Sequence, residues 1–283
     1  QAVRKLEGEL GITVFEKINS RTFQLTAGGR IYVDAAKRIL QIKEETYREL
    51  EDVQHANRGS FVFGCSPTRG LAMLANFYPV FHKAYPNVHL ELREAYLNAL
   101  YDLVIDGAVD IAVLTPLSEE HQSVSLEFLD REEIVLAFPR EHPLAHLADE
   151  NGTGTIELPE LKRFRDDGWM LTNTDSMLRN LTDSIFEQAG FFPENVLLET
   201  SSTNAHIAAI AEGIAVSLVP LPTPKIASRM RILHLEPRQH RSLYAAYRKS
   251  YILSKSQRFF IDQMAEFYRT AKKDDLPQYR LGW

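Results

Sequence analysis

The sequence predicts an α/β protein of two lobes with a mainly parallel sheet, preceded by a helix, a small hairpin and one long helix. Three observations predict it. From Phe61 onward, apolar runs of strand length alternate with amphipathic stretches of helical length. Over residues 27–57 apolar side chains recur at three- and four-residue steps. Between these regions Asn57-Arg58-Gly59-Ser60 interrupts the pattern as a domain boundary does.

Taken in order, Val3, Leu6 and Leu10 share one helical face, and Gly11 stops that helix in the usual C-terminal position. Val14-Phe15 and Thr22–Leu25 are short extended pieces joined by the polar turn Asn19-Ser20-Arg21, a hairpin or wing. Thr26 is a good N-cap for the long helix. That helix carries Tyr32, Ala35, Ile39, Ile42, Thr46, Leu50 and Val53 near a heptad seam. A seam this narrow suits either a dimerising partner helix or its own domain, and no neighbouring helix in sequence covers it. Gln1 falls within the helical pattern with no cap before it, so the chain is expected to begin inside an element. Beyond the boundary, strands are expected at 61–65, 88–94, 110–114, 133–138, 168–171, 196–199, 215–219 and 243–248. Helices are expected over 71–84, 97–106, 177–189, 203–212 and 256–272, with a long connection over 140–165. The chain is expected to cross between lobes near 133–138 and 243–248, and residues after 272 read as a tail.

Composition narrows the function classes. A chain of 283 residues, 45% hydrophobic, supports about two ordinary domains. Net charge is −6, but Lys and Arg slightly outnumber Asp and Glu over residues 1–58, so the acidity lies in the larger part. A single cysteine, Cys65, excludes an internal disulfide and suits a reducing compartment. No apolar run reaches the ~18 residues of a membrane helix, and no secretory signal opens the chain, which reads as cytoplasmic with no membrane partner.

Ligands bind open α/β sheets at the carboxyl ends of strands. There the sequence offers Ser66-Pro67-Thr68-Arg69, Tyr96-Leu97-Asn98, Thr115-Pro116, Thr172-Asn173-Thr174 and Ser201-Ser202-Thr203-Asn204. Four of these five places carry hydroxyls. The same residues are good N-caps, but their recurrence over both lobes points to a shared pocket for a small ligand. Arg69 suits an anionic ligand; a solvated surface arginine is the alternative. His142 and His146 stand four apart, but Pro143 between them spoils a helical metal pair. Cys65 reads as a buried structural residue. No nucleophile elbow, phosphate-binding glycine loop or acid–base constellation is present, so no enzymatic chemistry, metal or cofactor is expected.

Several stretches resemble the LysR-type transcriptional regulators of bacteria. QAVRKLEGELGITVFEK and QLTAGGRIYVDAAKRIL are similar to the end of the family's recognition helix, its wing and the start of its linker helix. EIVLAFPREHPLA and FEQAGFFPENVLLETSSTNAHIAAIAEGIAVSLVP are similar to segments of its sensing domain. The resemblance implies a partial winged helix-turn-helix over 1–26, lacking its first helices, and a dimerising linker helix over 27–58. It implies a two-lobed, type 2 periplasmic-binding-protein-like effector domain over 59–283, with lobe one about 59–134 and 243–283 and lobe two about 135–242. It also implies a double-stranded DNA partner in the full-length protein, a homodimer or homotetramer, and RNA polymerase contact if the regulator activates. Gln1, Arg4 and Arg21 match DNA-facing positions. Ser66, Thr68, Thr115, Asn173, Thr174 and Ser202 match effector-contacting positions, with Arg69 added from the strand-end reading. The effector is expected to be a small molecule, with an organic anion suited to Arg69. The stretch Asn173-Thr174-Asp175-Ser176 departs from the family's glycine-rich pattern at that pocket edge. A solute-binding protein of a transport system, sharing the sensing fold, is the alternative class.

Overall fold

The computed structural model describes residues 2–19, 22–54, 58–95, 97–116, 123–174, 176–222 and 224–270. The chain divides into two compact units, Gln1–Gly59 and Ser60–Trp283.

In the first unit, helix α1 (Ala2–Leu10) ends at Gly11, whose φ of 68° is the left-handed value that glycine adopts without a side-chain clash. The Glu7 carboxylate reaches past that end and accepts from the Val14 amide at 2.7 Å and the Phe15 amide at 3.2 Å. Strands β1 (Phe15–Lys17) and β2 (Phe23–Leu25) form the expected hairpin, with Phe15 opposite Leu25. Asn19 Oδ1 accepts from the Thr22 amide at 2.9 Å within the turn. Thr26 Oγ1 caps helix α2 (Ala27–Gln54), accepting from the Gly29 amide at 2.9 Å and donating to the Thr13 carbonyl at 2.6 Å. The start of α2 lies so close to the hairpin that a Cβ on Gly29 would sit 2.0 Å from the Val14 carbonyl oxygen. Along α2, Ile31, Ile39, Leu40, Ile42 and Leu50 are exposed.

The second unit is organised by two long antiparallel strands, β6 (Val124–Pro139) and β11 (Met230–Arg248). On one side of their midpoint stand β3 (Arg58–Cys65), α3 (Pro67–Asn76), α4 (Tyr78–Ala84), β4 (Asn87–Glu94), α5 (Leu97–Ile105), β5 (Ile111–Leu114) and α9 (Lys255–Thr270). On the other stand β7 (Thr153–Glu157), β8 (Trp169–Leu171), α6 (Met177–Ala189), β9 (Val196–Glu199), α7 (Thr203–Ala211), β10 (Ser217–Pro220) and the short α8 (Pro224–Ala227). One sheet runs through both lobes in the order β10-β6-β11-β5-β3-β4, with β7 also on β11.

Each lobe has its own core. In lobe one, Phe260 of α9 meets the rings of Phe61, Phe63, Phe77 and Phe81 at centroid distances of 5.3, 5.0, 5.4 and 5.2 Å. In lobe two, Trp169 packs edge-on against Phe186 at 5.0 Å, and its indole N–H donates to the Phe164 carbonyl at 2.8 Å. Each such ring contributes about 1.5–3 kcal/mol by burial.

Four expectations are corrected. The sheet is mixed: β3·β5 and β7·β11 are parallel, but β6·β11, β11·β5 and β10·β6 are antiparallel. The crossing strands are far longer than 133–138 and 243–248, because the charged runs DREE and QHRS break the apolar pattern while still pairing across the two strands. Strand β7 lies within the expected connection; Gly154 lets it pass under the Leu147 carbonyl, which a Cβ would approach to 2.3 Å. The expected helix over 71–84 starts earlier, at Pro67, and is split in two near Pro79. Residues 271–283, the expected tail, lie outside the described residues.

Two glycines in the first unit have opposite predicted responses. Gly8 in α1 has nothing within 4 Å of an added Cβ, whereas Gly29 meets backbone. Gly8→Ala should therefore stabilise α1 by about 0.5–1 kcal/mol. Gly29→Ala should destabilise the start of α2 by about 1–3 kcal/mol despite alanine's better helix propensity. Native-state hydrogen exchange, read in each helix of the full chain, gives both signs.

Candidate functional site

A cleft of about 780 Å³ opens between the lobes beside the middle of the β6–β11 pair. Its volume falls within the ~300–1,000 Å³ range of small-molecule sites. Five cross-strand pairs, Asp130–Ile134 against Leu243–Gln239, run beside it. Register shifts bound this band on both sides, between His234 and Gln239 and between Leu243 and Tyr244.

Lobe one contributes Ser66, Arg69 and Thr115 to the lining. Ser66 stands at the N-terminus of α3 but makes no side-chain cap bond. Arg69, one helical turn on, is held rather than solvated. Its Nη1 donates to the Tyr268 hydroxyl at 2.9 Å, and its Nη2 to Glu132 Oε2 at 2.9 Å. Directly across the strands from Glu132 stands Arg241, whose Nε donates to the same Oε2 at 2.7 Å. Burial alone would raise the Glu132 carboxyl, but the charges of Arg69 and Arg241 outweigh it and hold it at about 2. Burial, joined by the repulsion of Arg69, pulls Arg241 below the usual arginine value even though Glu132 opposes this. Next on β6, Glu133 accepts from His234 Nδ1 at 2.8 Å and pairs with Arg238.

Lobe two contributes Thr172, Ser176, Ser201, Thr203 and Asn204. Thr172 is only 4% exposed. Its Oγ1, Ser201 Oγ and the Nδ1 of His240 are buried side-chain atoms with no hydrogen-bond partner among the described residues, and all three residues line the cleft. Buried polar atoms in folded proteins are rarely left so, and a ligand is one way to satisfy them.

Of the residues expected from the sequence, Ser66, Arg69 and Thr115 come together at this cleft. Asn173, Thr174 and Ser202 are not among its lining residues. Ser202 is spent as the N-cap of α7, accepting from the Ala205 amide at 3.4 Å. Asn173 gives its carbonyl to the Ser176 amide at 3.0 Å, and Thr174 is exposed. The hydroxyls immediately before Asn173 and Ser202, those of Thr172 and Ser201, are the ones without a partner among the described residues. Thr68 lies on α3, and its side chain is outside the described residues. Arg4 is exposed on α1, while Gln1 and Arg21 lie outside the described residues. The sequence reading missed Glu132, Arg241, His240 and Tyr268; the signal it held was the pair of charged runs set inside apolar strands.

The remaining candidates are structural. His142 donates from Nε2 to Asp167 at 2.9 Å, accepts from the Leu144 amide and stacks on Phe164. Cys65 is fully buried, and burial raises its thiol to about 12. Among the described residues no group of His, Cys, Asp and Glu could hold a metal ion, and no helix is long and apolar enough to cross a membrane.

His206, on α7 behind the cleft, is 1% exposed between Ser217 Oγ at 2.7 Å and the Thr200 carbonyl at 2.8 Å. Burial lowers its pKa, against the pull of the Thr200 carbonyl. A depressed histidine stabilises the fold above its unfolded value of about 6.5, and that contribution is lost as pH falls through the folded value. Glu132, also depressed, keeps its contribution down to its ordinary value of 4.5 and loses it toward about 2. Thermal melts should therefore show two acid limbs. His206→Gln should flatten the limb that sets in as pH falls below about 6.5, and Glu132→Gln the one that sets in below 4.5.

The family model described as "LysR substrate binding domain" matches residues 54–269. A probable RuBisCO transcriptional regulator of Trieres chinensis is 26% identical over 221 residues, spanning 77% of this chain and 69% of that protein. One from Gracilaria tenuistipitata var. liui is 28% identical over 237 residues, spanning 82% and 73%. Among solved structures, the effector binding domain of QuiR in complex with shikimate superposes with a TM-score of 0.60 at 18% identity, covering 75% of this chain and 98% of that one. Full-length BenM gives 0.60 at 19%, covering 97% and 88%. A full-length OxyR from Pseudomonas aeruginosa gives 0.64 at 21%, covering 94% and 83%. At these identities the structural likeness is one of fold. With the family model spanning both lobes and the cleft between them, the chain belongs to the LysR family of transcriptional regulators, and its second unit is that family's effector-binding domain.

Proposed function

We propose that this regulator responds to a small organic anion held between the lobes by hydroxyls of both. The observation that carries the reading is the set of buried, unpartnered Thr172 Oγ1, Ser201 Oγ and His240 Nδ1 around a cleft that also exposes Ser66 and Thr115. Two guanidiniums sharing one carboxylate give the Arg69–Glu132–Arg241 trio one net positive charge, which favours an anion beside it. Ser66 and Thr115 would hold the ligand from lobe one, and Thr172 and Ser201 from lobe two. Such a ligand binds best when both sets reach it, so it favours one lobe orientation and shifts the population toward it. The register-shifted band of β6 and β11 is where the backbone would yield. No bond is made or broken, and the protein acts as a regulator rather than an enzyme.

In the same reading residues 27–58 form the dimerising helix, whose exposed Ile39, Ile42 and Leu50 are covered by a second copy. Residues 1–26 belong to the DNA reader, and Gln1, Arg4 and Arg21 are its DNA-contacting residues by their match to the family's pattern. Dimers pair into tetramers, and an activating form contacts RNA polymerase. Residues 59–283 form the sensing domain, its lobes dividing near 134 and 243.

Calorimetric titration of the full chain with a library of small organic acids, followed by hydrogen exchange with each binder, tests the sensing claim. The expected result is at least one binder that slows exchange in the segments around Ser66, Thr115, Thr172 and Ser201 together. Binders that protect one lobe only, or no binder at all, would overturn it.

A further inference from the structure

The two arginines of the cleft are not equivalent. Arg69 is committed to lobe one: one terminal nitrogen goes to Tyr268 and the other to Glu132, while the guanidinium lies 5.9 Å from the Tyr268 ring centroid. Arg241 uses only Nε, toward Glu132. Its two terminal nitrogens have no partner among the described residues, its side chain is 17% exposed, and it lines the cleft. The nearby Glu133 is already engaged by His234 and Arg238. Arg69, Glu132 and Arg241 together carry one net positive charge in a largely buried place, where unpaired charge is costly, while Asp130 and Arg131 beside them on the lining carry charges of opposite sign that cancel. One carboxylate would neutralise it, and the open end of a guanidinium matches the two oxygens of a carboxylate in a planar fork.

We propose that Arg241 is the residue that anchors the effector, that its terminal nitrogens take one carboxylate, and that Glu132 limits this end of the cleft to a single negative charge. The inference rests on reading the cleft as the effector site and deepens it. With Thr172 and Ser201 at the lobe-two side, it selects a hydroxylated monocarboxylic acid. The depressed pKa of Arg241 agrees with a cation lacking part of its compensation. The anchor also sits on β11 within the register-shifted band, so the ligand's charge would act on the strand that joins the lobes.

The test is calorimetry on the full chain with four probes: shikimate, its neutral methyl ester, benzoate and malate. Shikimate should bind, its ester about tenfold more weakly or worse, as expected for loss of a charge-assisted hydrogen-bonded pair. Benzoate, a monocarboxylate without hydroxyls, should bind more weakly than shikimate. Arg241→Gln should weaken shikimate at least about tenfold. Arg241→Lys, which keeps the charge and loses the fork, should fall between and guards against misfolding in the first variant. Glu132→Gln, which removes a negative charge, should shift preference from shikimate toward the dicarboxylate malate. If shikimate binds wild type and both Arg241 variants alike, or its ester binds as well as the acid, the anchor is wrong and the cleft reading stands. If no carboxylate binds but a neutral compound protects Thr172 and Ser201 from exchange, the anchor is again wrong. If nothing of either charge class protects those segments, both readings fall.

Discussion

The antiparallel pairing of β6 with β11 is the constraint on which the second unit depends. Each strand crosses from one lobe to the other, so the lobes are joined by paired strands rather than by loops. Both cores are built against it: Leu129 and Leu243 belong to lobe one, Ile134 and Leu233 to lobe two. Between those residues no apolar cluster fills the space, and the cleft lies there. A ladder interrupted by two register shifts resists separation of the strands yet tolerates bending at the shifts. That combination suits a sensor whose lobes must move without coming apart.

The same band concentrates charge. A run of Asp130, Arg131, Glu132 and Glu133 faces Arg241 and His240 across the ladder. Buried ionic clusters are weak contributors to stability, because desolvation offsets most of their attraction, and hydrophobic residues would pack at less cost. The ion cluster is therefore better understood as shaping the cleft than as holding the fold, which the aromatic contacts around Phe260 and Trp169 already do. Glu132 is shared by a side chain from α3 and one from β11, so it ties the helix that presents Ser66 to the strand that joins the lobes.

Much of the fold is legible in the sequence because local patterns and tertiary packing agree. Gly11, Thr26 and the polar turn at Asn19 predict the first unit, and apolar runs predict β4, β5, β8 and β9 nearly to the residue. The long strands are not legible, because Glu132 and Arg241 look like surface residues until the fold brings together positions 109 apart in the chain. The lining of the candidate cleft is legible only to within a residue. A hydroxyl-rich strand end leads to the edge of the cleft, but the hydroxyl next to the helix is used as a cap, as Ser202 is. The one before it, as at Ser201, is left facing the cleft, and only the backbone geometry tells the two apart.

The central claim is that ligand occupancy of the cleft changes how the lobes stand about the β6–β11 band. Cys65 is the chain's one cysteine and is fully buried, so spin labels can be placed cleanly at Lys83→Cys in lobe one and Glu187→Cys in lobe two, both exposed positions. Pulsed electron-spin distance measurement on the full chain, with and without a saturating acid that calorimetry shows to bind, reads the lobe separation directly. A distribution that shortens and narrows on binding is the predicted result; identical distributions in the free and bound protein would contradict it.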